Sequence, residues 1–251
     1  MPRLTCPQFK ELKGQRKLVT LSLGLAGMAR MADKVADLLL VGDSINMTLY
    51  GQPSTRGITL DQMIAHGRAV VQASENAIVV VDLPFGTYEQ SPAQAFASAS
   101  RVLAESGCQG VKLEGGLPLT PTIEFLVQRG IPVMGHVGLY PQHSEIVGGF
   151  KKERDGGKVI AEAKAQEAAG VFSMVVEAVP PEIGTQVTKA VDVPVIGIAA
   201  GEETNGQILV VDDLVGMNPG GAPKFVEQRA QVHRSISRAF REYAKAVRGE
   251  D

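Results

Sequence analysis

The segment Leu38-Leu39-Leu40-Val41-Gly42-Asp43-Ser44 is a short apolar run that ends in polar residues. The same pattern occurs at residues 78–82, 111–114, 133–136 and 174–177, which end in Asp82, Glu114, His136 and Glu177. Carboxylates at the ends of buried strands are costly unless they are paired, ligated or protonated. Their repetition therefore predicts one shared site at the carboxyl ends of parallel strands.

Short strand-like runs alternate with helical patterns along the chain. The predicted strands are residues 18–23, 37–43, 77–83, 110–114, 132–137, 173–178, 194–199 and 207–211. These runs lack the alternation of apolar and polar residues, which is typical of a parallel sheet covered by helices. Eight such units in 251 residues favour an α/β fold, a closed (β/α)8 TIM barrel, over the alternative of a doubly wound open sheet.

The intervals between the strands carry helix signals. A Ser or Thr followed by proline or by a capping-box glutamine marks helix starts at Thr59, Ser91 and Thr120. Residues 161–169 form an alanine-rich helical pattern, and residues 226–247 form an amphipathic one. Because no linker or repeat divides the chain, we expect residues 1–251 to form one barrel domain with a C-terminal helical extension.

Charge and cysteine content narrow the classes of function. The net charge of -2 and the pI near 6.1 supply no basic field, so we expect no nucleic-acid partner. Cys6 and Cys108 form no metal-binding cluster, which fits a reducing, cytoplasmic location. The apolar residues 18–29 follow a long charged segment and are interrupted by Gly, Ser and Thr, so we expect no cleaved signal and no membrane association.

Each residue at a strand end could have a purely structural role instead of a functional one. Asp43 or Asp82 alone could cap the loop or helix that follows it. Lys112 and Glu114 are two residues apart, so their side chains share one face of a strand. They could form a surface ion pair, but with Val111 and Leu113 facing the helices they would point into the barrel, where a lysine and a carboxylate need partners.

His136 and Glu177 complete the set. His136 could be a core histidine with one backbone hydrogen bond or a substrate contact. Glu177 could be a salt-bridged strand end or a general base. Oxygen ligands without paired histidines or cysteines suit a hard cation such as Mg²⁺. Such an ion could chelate a 2-oxo acid and stabilise the enolate that a base generates.

Beyond the strand ends, the chain carries a series of motifs in order from about residue 37 to residue 225. They are Val41-Gly42-Asp43-Ser44, Met47-Thr48, Gly51, Ser54-Thr55, Asp82-Leu83-Pro84-Phe85, Val111-Lys112-Leu113-Glu114-Gly115-Gly116, Gly135-His136-Val137-Gly138-Leu139, Pro141-Gln142, Gly148-Gly149-Phe150-Lys151, Pro194-Val195-Ile196-Gly197-Ile198 and Gly206-Gln207-Ile208-Leu209-Val210. In these motifs the chain resembles the 3-methyl-2-oxobutanoate (ketopantoate) hydroxymethyltransferase family, of the phosphoenolpyruvate mutase and isocitrate lyase barrel superfamily.

The resemblance implies a reaction and a set of roles. Asp43, Asp82 and Glu114 would bind Mg²⁺ directly or through water. The 2-oxo acid would be held by Ser44, Lys112, Asp43 and Asp82, and Glu177 would be the proton acceptor. His136 is expected to contact the substrate. The family adds the one-carbon unit of 5,10-methylenetetrahydrofolate to 3-methyl-2-oxobutanoate, giving 2-dehydropantoate for pantothenate synthesis, and its members commonly form homo-decamers.

Several segments depart from the family pattern. They are Leu21-Ser22-Leu23-Gly24, Gly57, Tyr140, Lys152-Glu153-Arg154-Asp155, Ala199-Ala200, Asn205 and Asp212. These changes fall on the expected rim of the site rather than on its metal and base positions. The family reaction is therefore our leading hypothesis. A related Mg²⁺-dependent aldolase or C–C lyase with another electrophile is the second hypothesis, and a non-catalytic binding or assembly protein is the third.

Overall fold

Eight parallel strands close into a barrel in the computed structural model, which describes residues 3–250. They follow one another around the barrel in sequence order: β1 Leu18–Ser22, β2 Leu38–Val41, β3 Ile78–Asp82, β4 Gly110–Lys112, β5 Val133–Gly138, β6 Ser173–Glu177, β7 Val195–Ile198 and β8 Gly206–Val210. Each strand overlaps its predicted range. The closed barrel confirms the (β/α)8 fold class, and the alternative of an open sheet is wrong.

Helices occupy the intervals between the strands. In the described range they are α1 Cys6–Glu11, α2 Ala26–Ala32, α3 Ile45–Thr48, α4 Leu60–Ala73, α5 Pro92–Ser106, α6 Thr120–Val127, α7 Ser144–Val147, α8 Gly156–Ala168, α9 Pro181–Ala190, α10 Val211–Leu214 and α11 Val232–Arg248, with 3₁₀ turns at Leu117–Leu119 and Pro141–His143. The final helix begins at Val232 rather than at residue 226, and α8 begins at Gly156 rather than at residue 161.

Two of the three predicted helix caps are present. Thr59 and Gln62 form a complete capping box, in which the Thr59 side chain accepts from the Gln62 backbone N–H and the Gln62 side chain accepts from the Thr59 N–H. Ser91 caps α5 by accepting from the Gln94 N–H, but the Gln94 side chain accepts from Gln90, so the box is incomplete. The cap predicted at Thr120 is wrong. A 3₁₀ turn leads directly into α6, so Thr120 already has helical backbone angles and its side chain caps nothing.

The interior of the barrel is filled by alternate residues of the strands and by α1. The cluster contains Cys6, Phe9, Leu18, Leu38, Leu40, Ile78, Val80, Met134, Phe172, Val175, Ile196 and Ile208. The fully buried ring of Phe9 packs edge-on against Phe172, the residue before β6, with centroids 6.2 Å apart. Helix α1 therefore lies at the amino ends of the strands, which leaves the carboxyl ends for the polar residues.

The chain divides into two compact units, one that ends at Ile208 and one that begins at Leu209. Within the second unit, α11 has no buried residue, and Phe240, Tyr243 and Val247 are exposed. The expectation of one domain over residues 1–251 stays a prediction.

Strand register brings the polar strand ends together. In the β3–β4 pairing Asp82 is opposite Lys112, and in the β5–β6 pairing Gly138 is opposite Glu177. Parallel strands of a closed barrel end at one face. The polar residues at these ends therefore line one mouth.

A buried carboxylate at the end of α2 anchors the loop before β3. Asp33 accepts hydrogen bonds from the backbone N–H of Glu75 at 2.8 Å and of Ala77 at 2.8 Å, and from backbone and side-chain nitrogens of Asn76. Burial opposes ionisation of Asp33, but these hydrogen bonds outweigh it and lower its pKa. The ionised form is therefore part of the fold.

Asp33→Ala should lower the free energy of unfolding by about 2–3 kcal/mol at neutral pH, because hydrogen bonds to a charged group are lost. A depressed folded-state pKa gives stability that is present above the unfolded-state pKa and is lost as the pH falls through the folded-state value. In urea unfolding, the difference in free energy of unfolding between wild type and Asp33→Ala should thus be smaller at about pH 3 than at pH 7. A difference that does not change with pH would contradict this role, and Asp33→Asn is the neutral control.

Candidate active site

The predicted site residues lie at the carboxyl ends of β2 to β6. Asp82, Lys112 and Glu177 are the last residues of their strands, His136 is inside β5, and Asp43 and Glu114 each follow a strand by two residues. Asp43, Asp82, Lys112, Glu114 and His136 are buried, and the Glu177 side chain is 20% exposed. The predicted residues therefore form one group at the mouth.

Asp82 connects two of its neighbours. Its Oδ2 accepts a hydrogen bond of 3.0 Å from the Asp43 backbone N–H, and its Oδ1 lies 2.9 Å from Lys112 Nζ. Ser44 is the N-cap residue of the short helix α3, but its side chain makes no capping hydrogen bond. Its Oγ lies 3.4 Å from Ser22 Oγ instead. Asp43 is thus not the helix cap that its sequence context allowed.

His136 lies between two glutamates. Its Nδ1 is 3.2 Å from Glu114 Oε2 and 3.5 Å from Lys112 Nζ. Its Nε2 is 3.4 Å from Glu177 Oε2 but has hydrogen-bond geometry to no group in the described part of the chain. The reading of His136 as a core histidine satisfied by one backbone bond is therefore wrong, because both ring nitrogens face charged side chains.

The pKa values of the group follow from burial and from its charges. Burial raises the pKa of Asp43 well above its ordinary value, and the Asp82 and Glu114 carboxylates raise it further. Burial also raises the pKa of Asp82, although Lys112 opposes this. Burial would raise the pKa of Glu114, but His136, Lys112 and the Gln142 N–H lower it.

The two basic groups of the site both favour their charged forms. Burial would lower the pKa of Lys112, but the carboxylates of Asp82, Glu114 and Asp43 raise it above its ordinary value. Burial and Lys112 would lower the pKa of His136, but Glu114 and Glu177 raise it. Lys112 is therefore a permanent cation at neutral pH.

The donor set fits a hard divalent cation. The three buried carboxylates of Asp43, Asp82 and Glu114 outnumber the two basic side chains beside them, Lys112 and His136, which leaves room for a further positive charge. The described residues contain no cluster of three His, Cys, Asp or Glu side chains arranged to hold a metal on their own. Mg²⁺ usually binds one or two carboxylates and takes its remaining ligands from water and substrate. Asp43, Asp82 and Glu114 therefore suit a Mg²⁺ ion held directly or through water.

The backbone after Glu177 is strained. Ala178 has φ 49°, in the left-handed region that non-glycine residues rarely adopt. Its N–H donates to Ile198 O at 2.9 Å, and its carbonyl accepts from the Glu153 N–H at 3.0 Å. These bonds hold the turn in which β6 ends, and with it the direction of the Glu177 side chain.

Sequence reasoning missed two buried residues that contact the site. Gln142, in the 3₁₀ turn after β5, donates from Nε2 to Asp43 Oδ2 at 2.9 Å, and its backbone N–H donates to Glu114 Oε1. The Tyr88 hydroxyl lies 2.6 Å from Gln142 Oε1 and 2.9 Å from Glu114 O. The Pro141-Gln142 motif was the available signal for the first residue, and nothing in the sequence pointed to Tyr88.

One face of α8 supports the same end of the barrel. Glu162 Oε2 accepts a hydrogen bond of 2.7 Å from the Tyr140 hydroxyl. One turn later, Gln166 Nε2 donates to Gly115 O at 3.0 Å and to His136 O at 2.9 Å. The Tyr140 ring also packs edge-on against His136, with centroids 5.9 Å apart. The changed rim residue Tyr140 is therefore part of the wall beside His136.

Neither cysteine of the chain has the features of an activated thiol. Cys6 and Cys108 are free and buried, and burial raises the pKa of Cys6 to about 12. Between residues 3 and 250, no helix has the length and apolar character needed to cross a bilayer.

Comparison with known proteins gives one consistent family. A family model described as ketopantoate hydroxymethyltransferase matches residues 3–251. A 3-methyl-2-oxobutanoate hydroxymethyltransferase of Bordetella petrii is 51% identical over 250 residues, which cover 98% of this chain and 91% of the relative. A protein of the same name from a Ruegeria species is 47% identical over 248 residues, covering 98% and 89%.

Solved structures share the fold at low sequence identity. Phosphoenolpyruvate phosphomutase from Streptomyces platensis superposes with a TM-score of 0.68 at 14% identity, covering 98% of this chain and 89% of that one. Phosphonopyruvate hydrolase, in a complex with oxalate and Mg²⁺, gives a TM-score of 0.65 at 12% identity, with coverage of 98% and 89%. At these identities the likeness shows the barrel fold alone.

Proposed function

Because this chain belongs to the ketopantoate hydroxymethyltransferase family, we propose that it uses Mg²⁺ and 5,10-methylenetetrahydrofolate to convert 3-methyl-2-oxobutanoate to 2-dehydropantoate. Family membership makes the chain a transferase and sets aside the hypothesis of a non-catalytic protein. The observation that carries the proposal is the buried group of three carboxylates and Lys112 at the barrel mouth, with the partly exposed Glu177 beside it.

The metal and the 2-oxo acid are assigned to the buried part of the group. Asp43 and Asp82 would ligate Mg²⁺ directly, and Glu114 would contact it through water. When bound, the cation supplies a positive charge that polarises the keto group and stabilises the enolate. Lys112 stays charged beside Asp82, which suits it to a substrate oxygen. Ser44 and His136 complete the substrate contacts.

Glu177 is assigned to the proton transfer. Its carboxylate would accept the C3 proton, which leaves the electron pair in the enolate. C3 then attacks the one-carbon unit of the folate, and with one water the products are 2-dehydropantoate and tetrahydrofolate. The 20% exposure of its side chain leaves Glu177 accessible to a substrate at the mouth. General-base catalysis needs the carboxylate within hydrogen-bond reach of the proton it removes.

A second candidate function keeps the enolate and changes the electrophile. Its support is the segment of residues 21–24 around the end of β1, in which Ser22 carries the only polar side chain, because Leu23 is apolar and buried and Gly24 has no side chain. An aldehyde such as formaldehyde would then replace the folate. The chemistry at Glu177 and at the carboxylates would be unchanged.

The test is deuterium incorporation at C3 of 3-methyl-2-oxobutanoate in heavy water with Mg²⁺, with and without 5,10-methylenetetrahydrofolate, alongside detection of 2-dehydropantoate. Exchange together with folate-dependent product is the expected result. Exchange without that product would favour the second candidate. The absence of exchange in both conditions would refute both.

The cellular location, the partners and the assembly of the enzyme are also part of the proposal. A cytoplasmic location suits the buried free thiols, and the net charge of -2 argues against a nucleic-acid partner. Assembly into a homo-oligomer, by family resemblance a decamer, is to be checked by light scattering.

A further inference from the structure

We propose that Gln142 is a positioning residue that orients the Asp43 carboxylate for metal binding. The inference rests on the proposed function, since it assumes that Asp43 ligates Mg²⁺. Gln142 is 2% exposed and is 99 residues from Asp43 in sequence, yet its amide reaches one oxygen of that carboxylate. Groups that orient metal ligands commonly matter for affinity nearly as much as the ligands do.

All the polar atoms of the Gln142 side chain are engaged. Nε2 donates to Asp43 Oδ2 at 2.9 Å and to Leu83 O at 3.0 Å, and Oε1 lies 2.6 Å from the Tyr88 hydroxyl. The reversed amide would place its oxygen against a carboxylate oxygen and a carbonyl oxygen, which are both acceptors. The neighbours of Gln142 therefore determine which way its amide points.

The two oxygens of the Asp43 carboxylate have different hydrogen-bond environments. Oδ2 is held by Gln142, whereas no donor in residues 3–250 has hydrogen-bond geometry to Oδ1. A carboxylate that is held by one oxygen presents the other in a defined direction. Oδ1 is therefore the oxygen of Asp43 that is available to a cation.

The backbone of Gln142 contacts a second carboxylate of the site. Its N–H donates to Glu114 Oε1, and Tyr88 links Gln142 Oε1 and the Glu114 carbonyl. One residue therefore bonds to both Asp43 and Glu114, which follow different strands. Because the bond to Glu114 is from the backbone, a substitution at position 142 removes the side-chain bond to Asp43 and keeps the one to Glu114.

The experiment is calorimetric titration of Mg²⁺ into the folate-free protein, with Gln142→Met as the main variant. Methionine has a similar length and no hydrogen-bond donor, so it removes the bond to Asp43 with little change in volume. We expect Mg²⁺ affinity to fall by about 10- to 100-fold. Gln142→Asn keeps an amide but is one methylene shorter, and it should show the same loss if Gln142→Met does not fold.

Two controls separate orientation from packing. Gln109 is a glutamine just before β4, at the opposite end of the strands, where its Oε1 accepts from the Val79 N–H at 2.9 Å and its Nε2 donates to Gly107 O at 2.9 Å. Gln109→Met should therefore lower the melting temperature and leave Mg²⁺ affinity within about twofold, well under the loss expected on removing a group that orients a ligand. Tyr88→Phe removes the partner of Gln142 Oε1 but keeps the bond to Asp43, so it should cause a smaller loss than Gln142→Met.

Two results would overturn the inference. The first is wild-type Mg²⁺ affinity in a folded Gln142→Met protein. The second is an equal loss in Gln109→Met, which would assign the effect to a general loss of packing. If the unsubstituted protein binds no Mg²⁺, the proposed metal site fails and this inference fails with it. If it binds Mg²⁺ and exchanges the C3 proton, a failure at Gln142 leaves the proposed function intact.

Discussion

Glu177→Gln loses deuterium exchange at C3 of 3-methyl-2-oxobutanoate by at least about 10²-fold, the low end of what a general base contributes. An amide of the same shape cannot accept the proton. Glu177 does not contact Asp43 or Asp82 in the described structure, so Mg²⁺ affinity and 2-oxo acid binding should stay near those of the wild type. Proton NMR tests the expected loss of exchange, and calorimetry tests the expected retention of Mg²⁺ and 2-oxo acid binding.

A matched carboxylate provides the control for this prediction. Glu182 lies five residues later, in the first turn of α9, and is exposed. Glu182→Gln makes the same chemical change outside the group and should exchange at the wild-type rate. Wild-type exchange in Glu177→Gln would remove Glu177 as the base and direct attention to His136, whose Nε2 lies beside it.

Lys112→Met should destabilise the metal-free protein by about 3–5 kcal/mol, because removing one partner of a buried ion pair leaves the other uncompensated. Here the three buried carboxylates have only two basic neighbours, Lys112 and His136, and Lys112 Nζ lies 2.9 Å from Asp82 Oδ1. Mg²⁺ should restore part of this stability, because it neutralises the same carboxylates. The melting temperature should therefore rise more on addition of Mg²⁺ in the variant than in the wild type.

Lys13→Met is the control for a lysine without a metal-site role. Lys13 Nζ donates to the carbonyl of Thr188, in α9, at 3.1 Å and to that of Val193, between α9 and β7, at 3.0 Å. Its loss should also lower the melting temperature, but with the same Mg²⁺ response as the wild type. An equal response to Mg²⁺ in Lys112→Met and the wild type would separate Lys112 from the cation site.

Local pattern was sufficient for the strands and for most of the helix caps. An apolar run of four or five residues that ends in a carboxylate marks a buried strand and its carboxyl end together, as at Asp82. Helix α1 was missed, although Thr5 and Gln8 form a capping box around Pro7, because the helix is only six residues long. The cap predicted at Thr120 failed because a 3₁₀ turn, which has weak sequence signals, precedes it.

The sequence by itself determined the barrel and which strand ends carry charge, because short apolar runs and the helix signals between them are local features of a chain. It predicted that Lys112 and Glu114 share one face. In the structure Lys112 contacts Asp82, and Glu114 contacts His136. Only the tertiary structure decided that Gln142 meets Asp43 across 99 residues, that Tyr88 supports it, and that Tyr140 bonds to Glu162. Such contacts depend on which loops meet when the barrel closes, and hydrogen-bond partners so distant in sequence leave no periodic signal along the chain.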